Sequence, residues 1–560
     1  MKNKIVAFVL VVILIFGSFS FTNDYFEISK NLDIFNSLYR ELNLSYVDNT
    51  KPGQLMKTGI DAMLNTLDPY TVYYPENEIE DYRYLMTGEY AGIGASVTDI
   101  DDKIIITQPY EGFAAFNAGI RAGDQIVSVN GISVLGKRSE EITNLLKGQA
   151  GTSVKLGVLK LAESSPKEIT LKREEIKQKA VPHFEILPGS ETGYIKLTSF
   201  TENCSQEVKS ALVSLKSKNC KSVVLDLRGN PGGLLYEAVN IVNLFVDKGQ
   251  EVVFTKGRIL DWEKSYLSVN NPIDTKIPLI VLVDENSASA SEIVSGALQD
   301  LDRAVILGRR TFGKGLVQQT RDLIYNTKVK ITVAKYYIPS GRCVQALDYS
   351  NKNEDGRVEK VPDSLITAFK TKSGRIVYDG AGIMPDVQTK QEEALQILYY
   401  LINKNYIFKH ANDFVIKNKS IGEVKTFEIS DEEFNSFRKN AESQNFTYKT
   451  NTEKALDDLI SLSTKEGYDK SIESQINELK AKISQEKAND WIKHKSIIKH
   501  YLEDEIIGRY YFQKGQIEFS LRTDKDIQKA IELFKMKDGV ESILLKKEKA
   551  TRPFNPYKKF

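Results

Sequence analysis

Between residues 221 and 318, three short apolar runs alternate with loops rich in small and polar residues, and no other feature of the chain restricts its fold as much. KSVVLDL (221–227) leads into RGNPGG, IPLIVLVD (277–284) into ENSASASE, and RAVILG (303–308) into RRTFGKGLVQ. Each run is rich in Val, Leu and Ile and lacks polar alternation, the pattern of a strand buried on both faces of a parallel sheet. Helical spacing follows the first two loops, at LLYEAVNIVNLFV and ASEIVSGALQD. Parallel strands joined through helices make βαβ units, whose loops all leave the same carboxyl edge of one sheet. Three loops distant in sequence are therefore expected to meet.

The residues on those loops have complementary chemistry. Ser289 opens the second helix, Lys314 follows twenty-five residues later, and Gln318 stands four beyond it. A serine nucleophile needs a base, and a lysine serves only as the neutral amine, which burial or nearby positive charge favours. No acidic residue lies between Arg309 and Thr320, Arg309 and Arg310 add positive charge, and Phe312, Leu316 and Val317 can exclude water. Gln318 can orient the amine without ionising. Backbone donors for an oxyanion are available at the helix start, Ala290, and in the turn at Gly232 or Gly233. Plainer readings stand beside these. Ser289 with Glu292 spells a capping box, Lys314 can be a solvated loop lysine, and the glycines after Pro231 can simply turn the chain. Gly308 to Lys314 also approaches a phosphate loop, but Gly315 occupies the position that needs Ser or Thr.

LDLRGNPGG, NSASASE, TFGKGLVQ and AKYYIPSGR, in that order and spacing, resemble the carboxyl-terminal processing peptidases, the Ser/Lys family S41 that includes the tail-specific proteases. The resemblance covers roughly residues 35–388. It implies a serine endopeptidase in which Ser289 is the nucleophile, Lys314 the general base, Gln318 the support of the lysine, and the amides of Gly232 and Ala290 the oxyanion hole. It further implies an α/β core of the crotonase-like ββα-spiral type (176–388), with no metal and no cofactor.

The rest of the chain is consistent with a multidomain α/β protein. Lys2 and Lys4 precede an apolar stretch from Ile5 to Phe16 and small residues at Gly17, Ser18 and Ser20, which reads as a secretory signal (1–22); counted to Phe21, it is also long enough to be a short membrane anchor. Export to the periplasm or cell envelope is the expectation. Residues 23–85 have helical spacing and include Leu67, Asp68 and Pro69, which match an LDP in the family; scaffolding or assembly is the role expected of this segment.

Residues 86–175 are β-rich, and AGIRAGDQIVSVNG (118–131) looks like a PDZ domain with an Asn-Gly hairpin. PDZ domains add a peptide as a strand and capture its terminal carboxylate on loop amides. Tyr90, Ala91, Gly92, Ile93 and Gly94 match that loop, and Arg173 matches a family arginine that either couples peptide binding to proteolysis or forms a surface ion pair. Polar residues 345–376 read as an insertion. From 389 to 560 the chain is Lys- and Glu-rich with helical spacing, a solvated helical domain compatible with oligomerisation or gating.

Composition narrows the alternatives. The 76 basic and 75 acidic residues nearly cancel, which argues against a nucleic-acid partner. None of the 4 histidines has metal-ligand spacing, and His183 is the remaining candidate for an approach to Ser289 in space. Three cysteines without a CxxC indicate no disulfide framework. Proteins or peptides with free C-termini are the expected partners. The competing readings are a catalytically silent PDZ adaptor and a small-ligand binding protein on the same core.

Overall fold

A computed structural model describes residues 25–352, 358–390 and 395–546. The signal or anchor expected at 1–22 lies outside the described residues, and among those described no helix is long and apolar enough to cross a membrane. The chain divides into two compact units, one holding residues up to 77 together with 318–332, the other 78–317 together with 333–560.

The first unit contains helices over 25–45 and Pro52–Asn65. It is not wholly helical: Val72–Tyr74 pairs antiparallel with Lys328–Lys330. The chain reaches that pairing through Asp68, whose Oδ1 accepts from the amides of Tyr70 and Thr71, both at 2.8 Å, as an Asp does when it closes a turn on its own backbone. Thr71 and Thr332 then meet across the pair, with the Thr332 amide donating to Thr71 Oγ1 at 3.2 Å.

The second unit begins with a β-rich domain. Strands β1 (Ala95–Ile100), β2 (Lys103–Pro109), β3 (Gln125–Val129), β4 (Ser153–Leu159) and β5 (Lys167–Lys172) form an antiparallel sheet in that order, with Ile132–Ser133 folded back on β3. The hairpin into Ile132 turns at Asn130 and Gly131, both at positive φ as a tight Asn-Gly turn requires. Helix α1 (Ser139–Leu146) buries Ile142 and Leu146 against the inward set of the strands, including Ile106, Ile126, Val154, Leu156 and Val158. Among the described residues, the edge position of β1 leaves one side of its ladder unpaired.

The following sheet is the one expected from the apolar runs. Strands β6 (His183–Ile186), β7 (Thr192–Lys196), β8 (Ser222–Asp226), β9 (Leu279–Val283), β10 (Val305–Gly308) and β11 (Val387–Gln388) lie in that order, β6 antiparallel and the rest parallel. Helices α2 (Cys204–Ser217), α3 (Leu235–Asn243) and α4 (Ala290–Asp300) cover the face formed by Ile195, Val223, Leu225, Leu279, Val281 and Ile306. Period-two alternation sends Tyr194, Val224, Ile280, Leu282, Val305 and Leu307 to the other face.

That second face is covered by the C-terminal helical region. Helices α5 (Tyr406–Lys417), α6 (Lys495–Ser520) and α7 (Lys525–Lys535) belong to it, and α7 places Ile527, Ala530 and Leu533 on the sheet. Burial on both faces explains why the three runs carry no polar alternation. The insertion at 345–376 makes two short hairpins in its described part, Leu347–Lys352 with Val358–Lys360 and Ala368–Lys370 with Ile376–Tyr378.

Candidate active site

The loops after β8, β9 and β10 leave one edge of the sheet, and hydrogen bonds tie them together. Asn230, fully buried on the first loop, accepts at its carbonyl from the Ala288 amide (3.1 Å) and from Ser291 Oγ (2.9 Å). The Phe312 amide of the third loop donates to the Ser287 carbonyl of the second at 3.1 Å.

Ser289 sits at φ 57°, ψ −112°, an arrangement a non-glycine residue rarely adopts and one that persists only when the surroundings enforce it. Its side chain makes no capping hydrogen bond. The Glu292 half of the expected capping box is formed by Oε2, which accepts from the Ser289 amide at 2.8 Å. Glu292 does more than cap. The same Oε2 accepts from the Lys314 amide at 2.8 Å, while Oε1 accepts from the Gly313 amide (2.7 Å) and Thr311 Oγ1 (2.6 Å).

One completely buried carboxylate therefore holds Ser289 and Lys314 on a shared oxygen. Burial pushes this carboxyl up to about 7, against the pull of its four donors. Tyr336 is a second tie, its hydroxyl 2.7 Å from the Lys314 carbonyl and 3.1 Å from that of Ser289. The side chains of Ser289 and Lys314 are both half-buried.

Of the backbone donors expected for an oxyanion, one is committed within its own loop. The Gly232 amide is committed to Asn230 Oδ1 at 2.9 Å. Along residues 228–234 the remaining amides are bonded as well, apart from Gly233, for which no acceptor exists among the described residues; Pro231 has no N–H to offer. Ala290 likewise has no acceptor among the described residues, as the first amide of a helix does not. Gly232 nevertheless lies against the site. A Cβ on it would stand 2.8 Å from Ser289 Cβ and 2.9 Å from the Ala290 nitrogen.

Other expected residues are placed as follows. Gln318 belongs to the first compact unit, where its Nε2 donates to Thr332 Oγ1 at 3.2 Å. Leu316 is buried and Val317 half-buried, whereas Phe312 is 48% exposed and does not enclose the loop as expected. His183 lies on the edge strand β6 beside Tyr194. After Lys314 the chain continues as a strand, Leu316–Asp322, where a phosphate loop would open a helix. Sequence reasoning missed Glu292 as more than a cap, and it missed Thr311, Tyr336 and Asn230 altogether. The only available signal was Glu292 itself, a charged residue on the otherwise apolar start of α4.

In the β-rich domain a cavity of about 210 Å³ opens between β1 and α1, lined by Tyr90, Gly92, Ile93, Ser96, Val97 and Leu146 among others. It runs beside the unpaired edge of β1, where an added strand would lie. Ala91 and Gly94 shape the loop without lining the cavity: Ala91 accepts from the Gly148 amide, and Gly94, at φ +73°, has Phe113 Cβ 2.4 Å from where its own Cβ would be. Burial and the neighbouring Tyr110 raise the Tyr90 hydroxyl well above its usual range.

Arg173 lies outside the cavity and has no ion-pair partner among the described residues. Its Nη2 and Nε donate to the carbonyls of Leu145 (2.8 Å) and Leu146 (3.0 Å), satisfying the last turn of α1.

Residues 191–349 match the model of peptidase family S41, residues 105–160 a PDZ domain, and residues 397–534 the C-terminal helical domain of a probable PDZ-protease. A probable CtpA-like serine protease of Staphylococcus aureus (strain bovine RF122 / ET3-1) is 37% identical over 317 residues, 56% of this chain and 62% of that protein. A protein of the same description from Staphylococcus haemolyticus (strain JCSC1435) is 38% identical over 306 residues, 54% of this chain and 60% of its own length. The chain thus spans about three fifths of the curated relatives it matches. Among solved structures, a photosystem II D1 C-terminal processing protease is 28% identical, with 64% of this chain and 92% of that one covered and a TM-score of 0.34.

Proposed function

We propose that this chain is a PDZ-containing peptidase of family S41, an exported serine endopeptidase that takes hold of protein C-termini and cuts the chain behind them. The observation that carries this reading is the single oxygen, Glu292 Oε2, on which the amides of Ser289 and Lys314 converge at 2.8 Å each. Ser289 Oγ attacks the scissile carbonyl as its proton passes to the neutral Lys314 amine. The protonated lysine then returns that proton to the leaving amine, and water activated by Lys314 releases the acyl-enzyme.

The Ala290 amide and the uncommitted Gly233 amide serve the oxyanion, and Gly232 gives the close approach that brings this loop onto the serine. The substrate's terminal segment adds to the free edge of β1, with its carboxylate at the loop of Gly92, Ile93 and Gly94. Holding the chain end in the same molecule raises the local concentration of the segment to be cut.

The test is cleavage of an unfolded protein with an apolar C-terminus, free or amidated, by the chain from residue 22 onward as wild type, Ser289→Ala and Lys314→Ala. The reading requires that wild type cut the free-ended substrate faster than the amidated one, and that both variants, still folded, be inactive. Equal cleavage by all three would refute the pair, and peptide binding without cleavage by any would favour the adaptor. Fractionation of expressing cells tests export.

A further inference from the structure

The loop that carries the glycines is gripped from outside the stretch that matches the peptidase family. Arg228 immediately precedes it, and its side chain is only 18% exposed. Nη2 lies 2.7 Å from Asp226 Oδ2 and 2.7 Å from Asp524 Oδ2; Nη1 donates to Asp524 Oδ1 and Asp526 Oδ2, each at 3.1 Å; Nε donates to Asp226 Oδ1, also at 3.1 Å. Every nitrogen of the fork is therefore engaged, a bidentate geometry that fixes direction as well as charge. The Arg228 backbone is held too, its amide by Asp226 Oδ1 (2.9 Å) and its carbonyl by Lys196 Nζ (2.7 Å).

Asp226 is local, but Asp524 and Asp526 stand at the start of α7, almost three hundred residues later. Asp524 is also the cap of α7, its Oδ1 accepting from the amides of Asp526 (2.9 Å) and Ile527 (3.0 Å). The helix is anchored independently by Ile527, Ala530 and Leu533 on the sheet, so the carboxylates are not needed to attach it. Asp526 also approaches Arg309, at 3.9 Å, and Arg309 opens the loop leading to Lys314. One end of one helix thus touches the arginines that begin two of the three site loops.

We infer that Asp524 and Asp526 are positioning residues of the active site, acting through Arg228 on the 229–233 segment that supplies the oxyanion donor. The inference rests on the serine peptidase reading. The carboxylates touch neither the serine nor the lysine; they fix the start of a loop whose last amides face the reacting atoms.

The test uses the full chain carrying Asp524→Asn with Asp526→Asn. Asparagine caps a helix about as well as aspartate, so α7 keeps its cap while the charge pairing is lost. The measurements are kcat and KM for an unfolded substrate, the affinity of the PDZ domain for a free-ended peptide, the melting temperature, and amide hydrogen exchange at residues 229–233. The expected result is a fall in kcat of about tenfold or more, with KM and peptide affinity unchanged, Tm within about 4 °C of wild type, and faster exchange at 229–233. Unchanged kcat, or unchanged exchange at 229–233, would overturn the inference. So would a loss of kcat that only accompanies a falling Tm and a weaker peptide affinity. Should wild type itself fail to hydrolyse, the peptidase reading fails, and the exchange measurement alone still decides whether the pair holds the loop.

Discussion

Replacing Glu292 by glutamine perturbs the tie between the two candidate residues without changing the volume of the side chain. The carboxylate accepts four hydrogen bonds, two on each oxygen. The amide of glutamine can take two of these donors on its oxygen, while its nitrogen faces the other two. Hydrogen bonds to a charged group are worth roughly 1.5–3 kcal/mol each, so losing two amounts to roughly 3–6 kcal/mol. Against this stands the cost of the buried charge. Even with its four donors in place the carboxyl rises from 4.5 to about 7, so at about 1.4 kcal/mol per unit the buried charge costs at least about 3 kcal/mol that a neutral side chain does not carry. The net loss is at most roughly 3 kcal/mol, less than the stability of roughly 5–15 kcal/mol typical of a folded protein.

The variant should therefore fold, with Tm lowered by no more than about 12 °C. Activity should suffer more, because whichever way the amide turns, two of the amides and hydroxyls that fix the Ser289 and Lys314 loops lose their acceptor. A displacement of about 1 Å corresponds to about a hundredfold loss, the expected fall in kcat. A kcat within about threefold of wild type in a folded variant would refute the reasoning.

The pH dependence gives a second readout. A carboxyl with a raised folded pKa keeps its proton in the folded state between 4.5 and about 7. Its contribution to stability is therefore present in full below 4.5 and is lost as pH rises toward 7. All four partners arrive as donors, so the ionised form is the one that fits, and activity should rise through the window in which this stability falls. The glutamine variant should lose this group's share of both slopes, as read by thermal melts and pH–rate profiles.

Three further outcomes follow from the geometry. Gly232→Ala would put a Cβ 2.6 Å from the Ala288 carbonyl oxygen and 2.8 Å from Ser289 Cβ, at φ +98°; kcat should fall by about a hundredfold while PDZ affinity for a peptide, read by fluorescence anisotropy, stays unchanged. Tyr336→Phe removes the hydroxyl shared by the carbonyls of Ser289 and Lys314; denaturant unfolding should show a loss of roughly 1–3 kcal/mol, with kcat reduced. Arg173→Met uncaps the last turn of α1; affinity for a free-ended peptide should weaken by about tenfold, at a cost of roughly 1 kcal/mol per lost bond, with hydrolysis of a short peptide that does not engage the PDZ domain unaffected.

Several elements were legible because they rest on local pattern. Apolar runs without alternation placed β8, β9 and β10 and brought their loops to one edge. Asn130 and Gly131 marked the hairpin of the PDZ domain, and the change from apolar run to SASASE marked the start of α4. Ser289 and Lys314 followed from these placements and from the motif resemblance. Residues 72–74 escaped the reading of 23–85 as helical because three residues carry too little periodicity to signal a strand; their pairing partner lies more than two hundred and fifty residues away.

Local chemistry set which segments become strands, where the loops emerge, and which residue types those loops carry, since these follow from side-chain volume, branching and turn chemistry within a few residues. Tertiary structure decided how the polar groups are spent. Glu292 reads as a helix cap, yet the arrival of Thr311, Gly313 and Lys314 makes it a clamp. Gly232 looks like an oxyanion donor, but Asn230 takes its amide and leaves that of Gly233. Arg173 secures a helix end, and Asp524 reaches Arg228 because α7 covers the sheet's second face. A hydrogen bond is made once its donor meets an acceptor, and which acceptor arrives depends on segments hundreds of residues apart that only the packed fold brings together.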